Sequence, residues 1–258
     1  MRLAIDVKMH YRFPVPNTVF LALEAAETDG QILRAQSLLT GNATQYRIAG
    51  DAGVGERFWA TVPGNDLVVD YAATVDITRT ATPLEMLPAT PVHLIPAEAA
   101  PYLRPSRYCQ SDKFVAFIDK RFGHLQGGAK VAAIRDWIEE NLTYVPGASD
   151  SDTNVLETFA SRQGVCRDYA HLLCAMVRAA QIPARAVAAY GPDVWPQDFH
   201  AVAEVWLNGA WHLVDATGMG GPETLAVIAV GRDAYDIAFM ESQAPAQLLL
   251  LQVQVWRV

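Results

Sequence analysis

At 258 residues, with 51% hydrophobic, 19% charged and 9% aromatic residues, the chain has the make-up of a folded protein long enough for one large or two modest domains; it is not disordered or fibrous. Its formal net charge of -8 sets nucleic acid and acidic membrane surfaces aside as partners, because both would be repelled. Three cysteines, Cys109, Cys166 and Cys174, form no CxxC pair, which argues against a disulfide framework and a structural zinc site.

The first residues alternate strictly. Leu3, Ile5, Val7, Met9, Tyr11 and Phe13 fall on one side and Arg2, Asp6, Lys8, His10 and Arg12 on the other, the period of a half-buried strand. The same pattern lacks the apolar run of a secretory leader, so a cytoplasmic chain is expected. Short strand-like runs follow, "AQSLLT", "TQYRIAG", "ERFWATVPG" and "DLVVDYAATVDITRT", parted by Gly, Asn, Asp and Pro turn signals. Residues 1–82 therefore read as an antiparallel, sandwich-like β domain.

Between Pro83 and Pro105 lie six prolines, which suit neither helix interiors nor central strands, so 83–110 reads as a linker or crossing segment. Residues 111–258 form the second unit. "GAKVAAIRDWIEENLTYVPG" carries Val131, Ile134, Ile138 and Leu142 on one helical stripe. Asn154 with Glu157 three residues on marks a second helix start. The stretch "SRQGVCRDYAHLLCAMVRAAQIPA" then predicts a buried helix over about 166–180, ended by Pro183. "ARAVAAYG", "FHAVAEVWL", "AWHLVDATG" and the final "QLLLLQVQVWRV" read as strands, which makes this unit α+β.

Asn208-Gly209 between two strands signals a two-residue type I′ turn, because both central positions need positive φ. If Leu207 then faces Ala210, Asp215 falls opposite Val202 and one diagonal step from His200, on the same face. His212 falls on the other face. Cys166 sits at the first turn of the predicted buried helix, where backbone amides and the helix dipole favour a thiolate. Cys166, His200 and Asp215 together have the make-up of a nucleophile, its base and the acid that orients the base. Each alone has a plainer reading: a core cysteine, a satisfied histidine, a turn aspartate. Cys174, deep in the same helix and about 12 Å from Cys166 at 1.5 Å per residue, is the packing case.

The motifs "GVCRDYAHL", "IPARAVAAYG" and "DFHAVAEVWLNGAWHLVDAT" resemble the transglutaminase-like superfamily, a branch of the papain-like thiol enzymes. The resemblance implies Cys166 as nucleophile, His200 as base and Asp215 as orienting acid, and a papain-like or transglutaminase-like α+β fold for 111–258. The β-rich start and the late "GRDAYD" resemble the bacterial cysteine-protease branch that carries an N-terminal β domain. "SRQGVC" lacks the Arg-Gly-Gly run of arylamine N-acetyltransferases, and "SDSDTN" lacks an EF-hand's ligand pattern, so no cofactor and no metal are expected.

Gln163, Tyr169 and Trp195 are candidate substrate-binding residues, Gln163 also a candidate second oxyanion donor. The expected reaction is cleavage of an amide or peptide bond in a peptide or protein substrate through a thioester. Transfer of the acyl group to an amine and a non-catalytic peptide- or protein-binding module are the alternatives.

Overall fold

The computed structural model describes residues 1–258. β1 (Arg2–Arg12) buries Leu3, Ile5, Val7 and Met9, as its alternation predicts. It is followed by β2 (Asn17–Leu21), β3 (Gln31–Leu39), β4 (Thr44–Ala49), β5 (Glu56–Val62) and β6 (Asp66–Ile77). Between Pro83 and Pro105 the chain makes short 3-10 turns. One isolated bridge, Ala89 to Leu207, and a hydrogen bond from Asn208 N to Pro88 O, 3.0 Å, tie this segment to the second unit.

Helices α1 (Val115–Phe122) and α2 (Gly127–Asn141) come next, then the two-residue strand β7 (Thr143–Tyr144), α3 (Val155–Ser161) and β8 (Gln163–Gly164). Asn154 caps α3 as its spacing predicts: its side chain accepts from Leu156 N, and Glu157 accepts from Asn154 N. The central helix α4 (Cys166–Ala179) is buried from Asp168 to Arg178. It packs across β9 (Ala184–Tyr190) and β10 (His200–Leu207). Those strands join β11 (Ala210–Val214) and β12 (Ala226–Gly231) in an antiparallel sheet of order β11-β10-β9-β12. A short α5 (Ala234–Ile237), β13 (Met240–Ser242) and β14 (Gln247–Arg257) complete the chain.

The fold is α+β, with a second unit of helices packed on the β9–β12 sheet behind an N-terminal β layer. The last strand sits elsewhere than its place in 111–258 suggests. β14 pairs with β1, Leu3 opposite Arg257 and Met9 opposite Leu251, and β13 pairs with β2, so the N-terminal layer is two sheets of order β14-β1-β6-β3 and β13-β2-β5-β4. The physical reason is burial: β1 hides its apolar face and needs a partner on each edge, and Val253 and Val255 of β14 continue that face. One continuous cluster of buried side chains runs from Leu3 and Phe58 through Ile134 and Leu173 to Val255, so the two units share a core.

Candidate active site

The local chain around Cys166 is held before the helix starts. Arg162, at φ 60, ends α3 in the left-handed conformation and turns the backbone into β8, where Gly164 pairs with Tyr144 in parallel. Val165 is extended and caps α4 without an acceptor side chain of its own. The capping is done from inside the helix: the fully buried Asp168 carboxylate accepts from Val165 N at 2.8 Å and from the Ser149 hydroxyl, and lies 3.4 Å from Arg167 Nη2. A Cβ on Gly164 would come within 2.6 Å of Asp168 Cβ, so only glycine leaves room for this brace.

Removing it leaves Val165 N and Arg167 without the carboxylate in a dry place. Asp168→Ala is therefore expected to destabilise the protein by about 2–3 kcal/mol, read by urea unfolding.

His200 opens β10 and Asp215 follows β11. Asn208 and Gly209 take φ 51 and 77, and the pairing runs Leu207 to Ala210 and Ala203 to Val214, the register that their dipeptide predicts. Asp215 thereby faces His200, and His200 Nε2 donates to Asp215 Oδ2 at 2.8 Å. The other carboxylate oxygen accepts from Thr217 N at 2.8 Å and Thr217 Oγ1 at 2.7 Å. His200 and Asp215 are 2% and 8% exposed, so the pair is shielded from water on nearly every side.

With Nε2 engaged, Nδ1 is the free nitrogen, and no side chain or backbone group forms a hydrogen bond with it that meets ordinary geometry. Burial pulls the imidazole pKa down. The bond to Asp215, the proximity of the Cys166 thiol and the charges of both outweigh it and raise the value to about 10. Tyr144, held beside Cys166 by the β7 to β8 pairing, has its phenol pushed up by burial and by the same cysteine.

Cys166 is partly exposed and, with His200, lines a cavity of about 440 Å³. Most of its wall is apolar, with Phe199 stacked on Phe239 at 4.4 Å, Ala188, Ile237 and Met240. Asp198 and Glu241 are its two carboxylates, both raised by burial. The other two cysteines are wholly buried, which pushes the Cys174 thiol up to about 11 and Cys109 further. His171, also buried, accepts from Ala234 N and stacks on Tyr108.

None of the three candidate substrate-binding residues lines this cavity. Gln163 is exposed on β8 and uses its backbone to pair with Thr143. Tyr169 is 4% exposed and packs on Tyr144 at 5.9 Å, because α4 turns it inward. Trp195 is 78% exposed and borders a separate groove along β14. Sequence reading passed over Tyr144, Asp168, Phe239 and Glu241. An acid in the first turn of a helix is a usable signal for Asp168. Tyr144 lies on a two-residue strand with no period to read, and Phe239 and Glu241 reach the cavity from beyond β12.

A half-buried cysteine at a helix start lines one cavity with a histidine bonded to a buried carboxylate, the residue types that thiol chemistry uses. The chain belongs to the transglutaminase-like superfamily, whose family model matches residues 114–216. It is similar over nearly its whole length to a solved protein of Cytophaga hutchinsonii named a putative cysteine protease, with 33% identity, a TM-score of 0.93, and coverage of 99% of this chain and 90% of that one. It is also 31% identical over 147 residues to an uncharacterized Mycobacterium leprae protein, a match over 53% of this chain and 52% of the relative. The chain thus spans about half the length of that curated relative.

Proposed function

We propose that the protein cleaves amide or peptide bonds through a thioester on Cys166. The observation that carries this reading is the buried Asp215–His200 pair, whose Nδ1 has no hydrogen-bond partner and whose imidazole lines the same cavity as Cys166. Nδ1 takes the thiol proton while Nε2 keeps its own on Asp215, so Asp215 stays a carboxylate throughout. The thiolate attacks the carbonyl carbon and the Cys166 amide holds the developing oxyanion. Nδ1–H then protonates the departing amine, leaving the acyl group on sulfur. Water attacks the thioester, gives its proton to Nδ1 and releases the acid and the thiolate.

Transfer to an amine is the second reading, and Asp198 and Glu241 favour it: both carboxylates line the cavity where a cationic amine would enter. Alkylation by iodoacetamide tests the thiol chemistry directly. Alkylation of Cys166 at neutral pH is expected to be at least tenfold slower in His200→Ala than in the wild type. Equal alkylation rates in the two proteins refute the enzyme reading. Casein and glutamine peptides, offered with and without an amine donor to wild type and Cys166→Ala, then divide hydrolysis from transfer.

A further inference from the structure

Beside the Cys166 cavity lies a second one, of about 610 Å³, between the N-terminal layer and the catalytic unit. Tyr235 and Glu241 line both, so the two cavities meet along one shared wall. Its N-terminal side is formed by Phe20 of β2, with Arg57 and Trp59 of β5, and Phe20 and Trp59 lie 4.6 Å apart. Tyr102 of the crossing segment stands on the catalytic side.

Arg57 is the unusual member. Its side chain is 8% exposed, yet of its five N–H donors only those on Nη2 are engaged, with Asp51 at 3.2 Å and Val230 O at 3.3 Å. Nε is buried with no partner. A guanidinium held in a dry wall with donors unused is costly to keep, and such a group in a cavity wall points to an acceptor supplied from outside.

Charge decides which acceptor. Two cations, Arg57 and Arg232, share the cavity with three carboxylates, Asp51, Asp236 and Glu241, and Arg232 is already committed to Asp236 at 2.8 Å. A ligand carboxylate would add negative charge to a wall with an excess of it, whereas a main-chain carbonyl offers a lone pair without charge. Glu241 makes no hydrogen bond through its side chain and suits an N–H donor. It lies on β13, the edge strand of its sheet, where an extended chain has a free side to lie along.

We propose that the N-terminal β layer forms a distal peptide subsite, in which Arg57 binds a main-chain carbonyl and Glu241 an amide or basic group of an extended substrate whose scissile bond lies at Cys166. The inference rests on the hydrolase reading for the nature of the substrate. It assigns the β layer a part in substrate length selection, which the thiol site alone does not require.

The test measures binding by fluorescence anisotropy to the Cys166→Ala protein, using fluorescein-labelled casein peptides divided into a pool of two to three residues and a pool of eight to ten. Adding Arg57→Met is expected to weaken the long pool at least tenfold and to leave the short pool within twofold, with the near-ultraviolet circular dichroism unchanged. Adding Glu241→Gln is expected to weaken the long pool by threefold or more. Equal binding of the long pool with and without these changes overturns the proposal, as does an equal loss on both pools. Failure of the parent to bind any long peptide overturns it too, and does not touch the thiol reading, which the alkylation experiment decides separately.

Discussion

Asp215→Asn is expected to lower kcat/KM for peptide hydrolysis by about three to four orders of magnitude, the scale reached when the orienting acid of a catalytic triad is made neutral. The argument lies in the hydrogen bonds. One Asp215 oxygen accepts from Thr217 N and Oγ1 and the other from His200 Nε2, in a place that is 8% exposed. An asparagine keeps its oxygen on the two Thr217 donors, because its amide group there would face a backbone N–H. That turns the amide nitrogen toward His200, and Nε2 must then accept. The ring proton moves to Nδ1, the nitrogen that has to receive the thiol proton, so the base is lost while the fold is kept. The check is single-turnover kinetics beside thermal unfolding: activity falls by the stated factor, and the unfolding midpoint stays close to that of the wild type. A loss below tenfold would mean that Asp215 does not set the tautomer.

The geometry of this pair was legible because a turn dipeptide encodes it. Asn208 and Gly209 are adjacent in sequence and need positive φ, so the strand register follows, and register carries parity to His200 and Asp215. The strands of the N-terminal layer were legible for the same local reason, an alternation that burial rewards. What was hidden depends on distance along the chain. Nothing in "QLLLLQVQVWRV" says that its partner is β1, because an apolar strand pairs with any matching edge. β2 was also passed over, although Val19 and Leu21 are fully buried, since its five residues are too few to show a period. The cavity walls gather residues from both ends of the sequence: Glu241 reaches the cleft through β13, and Arg57 reaches its neighbour through β5. Helical inward rotation explains Tyr169, which sequence position places beside Cys166 and the helix turns into the core.

The titration of His200 is expected to set both stability and turnover at alkaline pH. Burial opposes the imidazolium, and the Asp215 bond with Cys166 outweighs it, so the folded value stands near 10 against an ordinary 6.5. A group raised on folding stabilises the native state fully below its unfolded value, and that contribution is lost as pH climbs through the folded one. The unfolding free energy of the wild type, measured against His200→Gln, should therefore be flat below about pH 6.5 and fall by about 3–5 kcal/mol by pH 10, at about 1.4 kcal/mol per unit. Cys166→Ser takes away one of the two partners that raise the imidazole, so the same difference should be smaller in that background. Under the proposed mechanism the free enzyme has the same upper limit, because amine release uses the proton on Nδ1: kcat/KM should decline above about pH 10. Urea titrations at half-unit intervals read the stability arm. A difference that stays flat from pH 6.5 to 10 and rises instead as pH climbs toward 6.5 from below would show that burial, not the Asp215 and Cys166 pairing, governs this histidine, and would remove the imidazolium from the resting site.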